Sequence, residues 1–267
     1  YNDHSFIRYL QNNKINCFVV DWNHPAEDEK RYTLSDYIAR LEKFALTIAA
    51  ENKKPLHLLG YCMGGTLATA LAHQNEELFQ SIVLIATPWD FEADGGTQKN
   101  MLSPAFPFFE KQIDLFGQLP TESLQLCFAM LDPMMAMDKF SYFANLATDS
   151  VQASRFVLLE DWLNDGVPLA GPVARECLLG WYQENQTAKG NWRIHDQIIR
   201  PENISLPTLH LIPSEDRIVP PASSEALADI FVKKQIIKPK LGHIGMMSST
   251  KSKDQVWAKI NDFIQKA

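Results

Sequence analysis

The sequence predicts an α/β fold: a mostly parallel sheet with helices on both faces, interrupted by an inserted, mainly helical cap. Two observations carry that expectation. Short apolar runs bounded by polar residues alternate with amphipathic stretches up to residue 90 and again from residue 204. That is the rhythm of a parallel sheet whose connections are helices. Between them, residues 91–203 hold long helical-looking stretches rich in aromatics and Met, without clear strand alternation. The expected division is a core of residues 1–90 and 204–267 with a cap over 91–203.

Each element has its own signal. Residues 5–12 (SFIRYLQN) predict a short helix, and 16–22 (NCFVVDW) a buried strand. In TLSDYIARLEKFALTIAAENKKP, Thr33 or Ser35 is the N-cap. Leu34, Ile38, Leu41, Phe44, Ala45 and Ile48 then recur at steps of three and four, an amphipathic helix ending before Pro55. Residues 56–61 (LHLLGY) form the next strand. A helix runs from Gly64–Gly65 to about Asn75, and residues 81–87 (SIVLIAT) form a third strand closed by Pro88. After the cap, 207–213 (PTLHLIP) is a strand and 222–232 a helix. KKQIIKPKLGH carries another short strand, and the closing helix shows Val256, Trp257, Ile260, Phe263 and Ile264 on one face. The chain opens at Tyr1, directly into a helix, so the natural N-terminus and the core's first strands are expected upstream.

Composition narrows the function classes. A net charge of −7 argues against broad nucleic-acid binding, which uses a basic face. No apolar run approaches the ~20 residues of a membrane span, and no secretory leader is visible. The four cysteines, Cys17, Cys62, Cys127 and Cys177, form no CxxC pair and no zinc spacing with histidine. They read as buried free thiols in a reducing, cytoplasmic compartment, with disulfides the minority option. No metal and no cofactor are expected.

The chemistry-bearing string is Gly60-Tyr61-Cys62-Met63-Gly64-Gly65. It fits the nucleophile elbow of α/β-hydrolases, G-x-nucleophile-x-G, with Cys in the Ser position. The nucleophile must sit on a strained turn between strand and helix, and small residues two places to either side let those elements pass closely. A cysteine at a helix N-terminus also feels the positive end of the helix dipole, which favours thiolate. A buried structural cysteine in a glycine turn is the bland alternative.

In this fold the partners follow in the order acid, then His, each past a strand end. Asp216 meets that requirement in SEDRIVP, with Glu215 its rival, and His243 meets it in LGHIG. A surface carboxylate and a loop histidine are the plain alternatives. His4, His24, His57, His73, His195 and His210 are worse placed, being before or beside the elbow, within strands, or in the cap. Asp216 follows Cys62 by 154 positions, and the excess length is the cap, expected to cover the sheet's C-terminal edge. An oxyanion hole needs two N–H donors. Met63 supplies one, and the other is expected from a loop upstream of Tyr1.

GYCMGGTLA, IATPWDF, LEDWLNDGVPLAGPVAREC, SEDRIVP and GHIG together resemble the polyhydroxyalkanoate (PHA) synthase family over nearly the whole chain. The resemblance implies the catalytic domain of an acyltransferase that polymerises (R)-3-hydroxyacyl-CoA. Cys62 would hold the acyl group, His243 would take the thiol proton, and Asp216 would orient His243 or help activate the attacking 3-hydroxyl. Coenzyme A would enter as part of the substrate. The resemblance further implies a growing polyester chain as partner, a homodimer or partner synthase subunit, and a place at the PHA granule surface. Arg217 and Pro221 stand where the family often has His and Trp, and Gly245-Met246 where Ala-Gly is usual. Those changes bear on substrate size and polymerising ability.

Trp162, Leu163, Val167, Trp181, Tyr182 and Met134–Met137 are expected either to line an acyl pocket or to form the cap's own core. Asp161 and Asp165 read as helix-end or turn residues. Arg175 reads as a cap salt bridge, or a contact to CoA phosphates. Three other functions stay open: a capped ester or thioester hydrolase, a dienelactone-hydrolase-like enzyme, which the long insertion disfavours, and a non-catalytic relative that binds polyester granules or a synthase subunit.

Overall fold

A computed structural model describes residues 5–267; Tyr1 and His4 lie outside the described residues. Helix α1 (Phe6–Asn12) is capped by the Ser5 hydroxyl. Helix α2 (Leu34–Asn52) begins in a capping box, with Thr33 and Asp36 satisfying each other's backbone N–H. It buries Leu34, Tyr37, Ile38 and Ala45. Phe44, at the margin of the predicted stripe, is left 51% exposed.

Strand β1 (Leu56–Tyr61), helix α3 (Met63–Gln74) and strand β2 (Phe79–Ile85) follow. The chain then leaves the sheet for a long helical passage. It comprises α4 (Thr97–Leu102), α5 (Phe106–Phe116), β3 (Gln118–Leu119), α6 (Thr121–Leu131), α7 (Met135–Ala144), α8 (Val151–Asn164), β4 (Leu169–Ala170) and α9 (Gly171–Arg175). A π-helical stretch over Glu176–Gln183 prolongs α9, and β5 (Arg193–Ile194) and β6 (Gln197–Ile198) close the passage. The chain returns through β7 (Thr208–Leu211), α10 (Pro221–Ile230), β8 (Lys234–Ile237), α11 (Gly245–Ser248) and α12 (Ala258–Ile264).

The main sheet has the order β1-β2-β7-β8, and every pair is parallel. Strand β2 shows why residues 82–85 are all apolar: both of its faces are covered there. Ile82 and Leu84 pack with Leu34 and Ile38 of α2 and Leu67 and Leu71 of α3. Val83 and Ile85 pack on the other side with Trp257 and Ile260, against which Phe6 and Tyr9 of α1 lean. Each such side chain withdrawn from water contributes roughly 1.5–3 kcal/mol. A third cluster joins Phe106, Phe109 and Ile113 of α5 to Ile218 and Val219, with Cys62 against it. The helical passage thus rests on the loops at one end of the sheet.

Two expectations fail here. Residues 16–22 form no strand; Phe18 is 57% and Val19 68% exposed. An apolar run becomes a strand only where a neighbouring backbone takes up its N–H and C=O groups. Strand β1 ends the sheet on its own side, and no described strand lies in register with residues 16–22. The passage between β2 and β7 is mainly helical, as expected, and adds two short antiparallel pairs, β3 with β4 and β5 with β6. Each strand is two residues long, too short for alternation to show. All four cysteines are free, but only Cys127 and Cys177 are buried; Cys17 and Cys62 are half-buried. Among the described residues no helix is long and apolar enough to cross a membrane.

Candidate active site

Strand register brings the site together. Tyr61, Ile85, Leu211 and Ile237 stand side by side across the sheet. The loops after β1, β7 and β8 therefore leave its C-terminal edge at one level, where ligands of open parallel sheets bind. Those loops carry Cys62, Asp216 and His243 respectively.

Cys62 sits alone between β1 and α3 at φ 54°, ψ −128°, a conformation an L-residue rarely adopts. Two backbone bonds hold it: its N–H donates to Ile85 O at 2.9 Å, and its carbonyl accepts the Gly65 N–H at 2.8 Å. The tight packing falls on only one of the two glycines of the motif, Gly60, and on Gly65 beyond it. A Cβ on Gly60 would overlap the backbone of Gly64 and Gly65, and one on Gly65 would overlap the Thr87 side chain. A Cβ on Gly64 would meet nothing within 4 Å. Gly60→Ala is therefore expected to destabilise the protein by about 3 kcal/mol or more, because backbone must move. Gly64→Ala, on a helical residue with open space, changes stability by less than about 1 kcal/mol. Urea unfolding midpoints check both. Equal losses would mean that strand and helix do not approach as described.

Asp216, not Glu215, reaches the histidine. Its Oδ2 accepts from His243 Nδ1 at 2.7 Å, and its Oδ1 accepts the N–H groups of Ile218 at 2.9 Å and Val219 at 2.8 Å. The carboxylate is thus fixed by its own turn. Glu215 points to solvent, with its carboxylate 3.9 Å from Lys240. With Nδ1–H committed to Asp216, Nε2 is the imidazole nitrogen left for the thiol. Burial disfavours a charged ring, but the Cys62 charge and the hydrogen bonds to Asp216 and Cys62 outweigh it, holding His243 above the ordinary histidine value.

Met63 opens α3, and its N–H belongs to the first turn, which a helix leaves unpaired. Beside it lies a cleft of about 240 Å³ walled by Trp22, Tyr37, Met63, Gly64, Leu67 and Val167. Two polar ties bind the helical passage to the acid turn. The Gln98 side chain donates to Ile218 O at 2.9 Å, and Arg217 faces Asp132 at 3.5 Å. Neither was legible in the sequence, because the partners stand more than 80 positions apart.

The other singled-out residues divide. Trp181 is core, stacked on Phe91 at 6.0 Å, and Tyr182 packs against the same ring. Met134, Met137 and Trp162 are 50%, 62% and 55% exposed, so they neither close a pocket nor fill a core. Asp161 and Asp165 end α8, joined by a backbone bond. Arg175 pairs with Glu110 at 2.8 Å and Asp114 at 2.6 Å, a bridge from α9 to α5. Pro221 opens α10, and Met246 is fully buried in α11. His57 bonds Ser81 and His210 bonds Thr208, both within the sheet.

Comparison with known proteins fits this arrangement. The chain is 27% identical over 267 residues to the poly(3-hydroxyalkanoate) polymerase subunit PhaC of Haloferax mediterranei, covering 98% of this chain and 54% of that protein. It is 29% identical over 248 residues to the subunit of the same name from Synechocystis sp., covering 89% and 65%. It spans about half the length of the first of these relatives. Among solved structures, a putative non-heme bromoperoxidase from Mycobacterium tuberculosis superposes with a TM-score of 0.52 at 17% identity, covering 92% of this chain and 78% of that one. A thermophilic esterase from Thermogutta terrifontis gives 0.52 at 18%, covering 88% and 73%. At those identities the likeness is one of fold. The alpha/beta hydrolase fold family matches residues 1–250. With a parallel sheet, a strained elbow after β1 and an acid–histidine pair on the later loops, the chain belongs to the alpha/beta hydrolase fold family.

Proposed function

We propose that this chain is an acyltransferase acting on (R)-3-hydroxyacyl-CoA thioesters through an acyl group held on Cys62, with His243 as base and Asp216 as its orienting acid. The observation that carries the reading is the convergence at one sheet edge of a cysteine on a strained elbow and a histidine bonded to a buried carboxylate. Similarity to proteins named PhaC supports a hydroxyacyl thioester as the substrate class. The mainly apolar cleft beside Met63 offers room for an acyl chain. Residues 91–203 act in this reading as a cap over the core of 1–90 and 204–267.

The chemistry follows from the donors present. The Cys62 sulfur attacks the thioester carbonyl, His243 Nε2 takes the thiol proton, and the Met63 N–H stabilises the oxyanion. The C–S bond to coenzyme A breaks, and the imidazolium returns the proton to the departing thiolate. The 3-hydroxyl of a chain end then attacks acyl-Cys62. His243 accepts the hydroxyl proton, an ester forms, and Cys62 is released to take that proton back. Cysteine suits both halves, because a thiolate leaves as readily as it attacks. No cofactor enters any step.

Hydrolysis is the competing outcome of the same acyl-enzyme, since Cys62 is half-buried rather than sealed from water. Incubation with 3-hydroxybutyryl-CoA, following coenzyme A and product together, separates the two. Coenzyme A with polyester is the expected result. Coenzyme A with only free acid would replace the transferase reading with a thioesterase. Release of neither product would replace both with a binding relative.

A further inference from the structure

We propose that Tyr61, the residue immediately before Cys62, is a positioning residue that clamps His243: its hydroxyl anchors the histidine's loop and its ring supports the imidazole face. This rests on the assignment of Cys62, His243 and Asp216 made above. Nothing in the motif requires an aromatic at this place, and the two residues are 182 positions apart.

The contacts are specific. The Tyr61 hydroxyl donates to the His243 carbonyl oxygen at 3.1 Å. Its ring lies over the imidazole with centroids 5.0 Å apart and planes inclined by 27°. Tyr61 is the last residue of β1, paired in register with Ile85, so it is a rigid support. His243 needs one. It sits between Gly242 and Gly245, with no strand or helix of its own, and neither glycine presses tightly on a neighbour. Asp216 holds the ring at Nδ1 and Tyr61 holds the backbone behind it. The catalytic nitrogen is thereby fixed from two elements.

The ring contact also has an electrostatic consequence. An aromatic face attracts a cation, and desolvation strengthens the attraction. When His243 takes the thiol proton it becomes that cation. The titratable groups that bear on it are Cys62 from the elbow and Asp216 from the loop after β7, with Tyr61 from β1. Glu215, Lys240 and Arg217 flank the same loops but pair at the surface. Burial first, then the charges of Cys62 and Asp216, push the Tyr61 phenol well up, so it remains a protonated donor.

Ring and hydroxyl separate experimentally. The His243 imidazole is titrated by nitrogen NMR in the full chain, alongside Tyr61→Phe, Tyr61→Leu and Cys62→Ala. Tyr61→Leu removes the π face and is expected to lower the His243 titration by roughly one pH unit. Tyr61→Phe keeps the face and leaves it within about 0.3 unit. Loss of the hydroxyl instead speeds amide exchange over residues 242–245 about fivefold. Tyr61→Met repeats the ring test with a different apolar filler should the Leu variant unfold.

A role in packing alone would leave the titration unchanged or, by admitting water, raise it, and would leave the exchange unchanged in Tyr61→Phe. An unchanged or raised titration without the ring, or unchanged exchange without the hydroxyl, overturns the proposal. Cys62→Ala is the independent control. It should lower the His243 titration because the sulfur no longer supports the imidazolium. No change there would remove Cys62 from the site, while the two Tyr61 comparisons would still decide the clamp.

Discussion

Cys62→Ala abolishes coenzyme A release from 3-hydroxybutyryl-CoA, a fall of roughly a thousandfold or more, whereas Cys127→Ala leaves the rate within about twofold. The asymmetry follows from where the two sulfurs stand. Cys62 occupies the strained residue of the elbow, at the N-terminal end of α3, within hydrogen-bonding reach of His243. In the proposed reaction no acyl-enzyme forms without its sulfur, and the remaining groups act only on a bound thioester and water. Cys127 lies inside the cluster formed by Phe106, Phe109 and Leu131, and burial pushes its thiol up to about 11. It stays protonated at neutral pH and is a poor nucleophile. Burial, and then the charge of Glu176, push the Cys177 thiol higher still. Iodoacetamide should therefore block turnover by modifying Cys62 first, with the modified residue identified by peptide mass. Cys62→Ser is the finer comparison. A hydroxyl forms the acyl-enzyme slowly and leaves it poorly, so turnover falls while single acylation persists. Equal losses from Cys62→Ala and Cys127→Ala would remove Cys62 from the chemistry.

Much of this geometry was legible from local spacing. Strand β2 announces itself because both faces of a central parallel strand are covered, leaving residues 82–85 apolar and buried. The elbow is legible because its steric demands fall within six consecutive residues, although the glycine at 65 carries the close approach that the motif places at 64. The proposed acid and base are legible through their order and their positions after strands. Asp216 could be told from Glu215 only by direction: one points at His243 and the other at Lys240.

What failed lacked a local signature. Residues 16–22 have the apolarity of a strand, but pairing is a property of two backbones, and no described strand lies beside them. Trp162 and Met137 look like core or pocket residues because both roles select the same side chains; the structure leaves them in solvent. The contacts of Tyr61 with His243 and of Gln98 with Ile218 cross more than a hundred positions. No periodicity reports such a contact.

Asp216→Asn is expected to cut acyl transfer by roughly a hundred- to ten-thousandfold while the fold survives. The variant is nearly isosteric, so its side-chain carbonyl can still accept the N–H groups of Ile218 and Val219, which Oδ1 now accepts at 2.9 and 2.8 Å. The change falls on the other side. The carboxylate oxygen 2.7 Å from His243 Nδ1 becomes an N–H donor. Two donors cannot face each other, so the imidazole moves its proton to Nε2, the nitrogen that must accept from Cys62. The base is then present, correctly placed and in the wrong tautomer. The loss should lie toward the lower end of the range, because a thiol depends less on a base than an alcohol does. Asp216→Ala is a poorer test, since it also orphans two buried N–H groups, each worth about 1–3 kcal/mol of stability. Glu215→Gln, at the surface beside Lys240, should leave the rate within about twofold. Transfer rates and thermal midpoints measured together check the assignment. If Asp216→Asn keeps full activity, or if Glu215→Gln loses as much, the acid of this site is not Asp216.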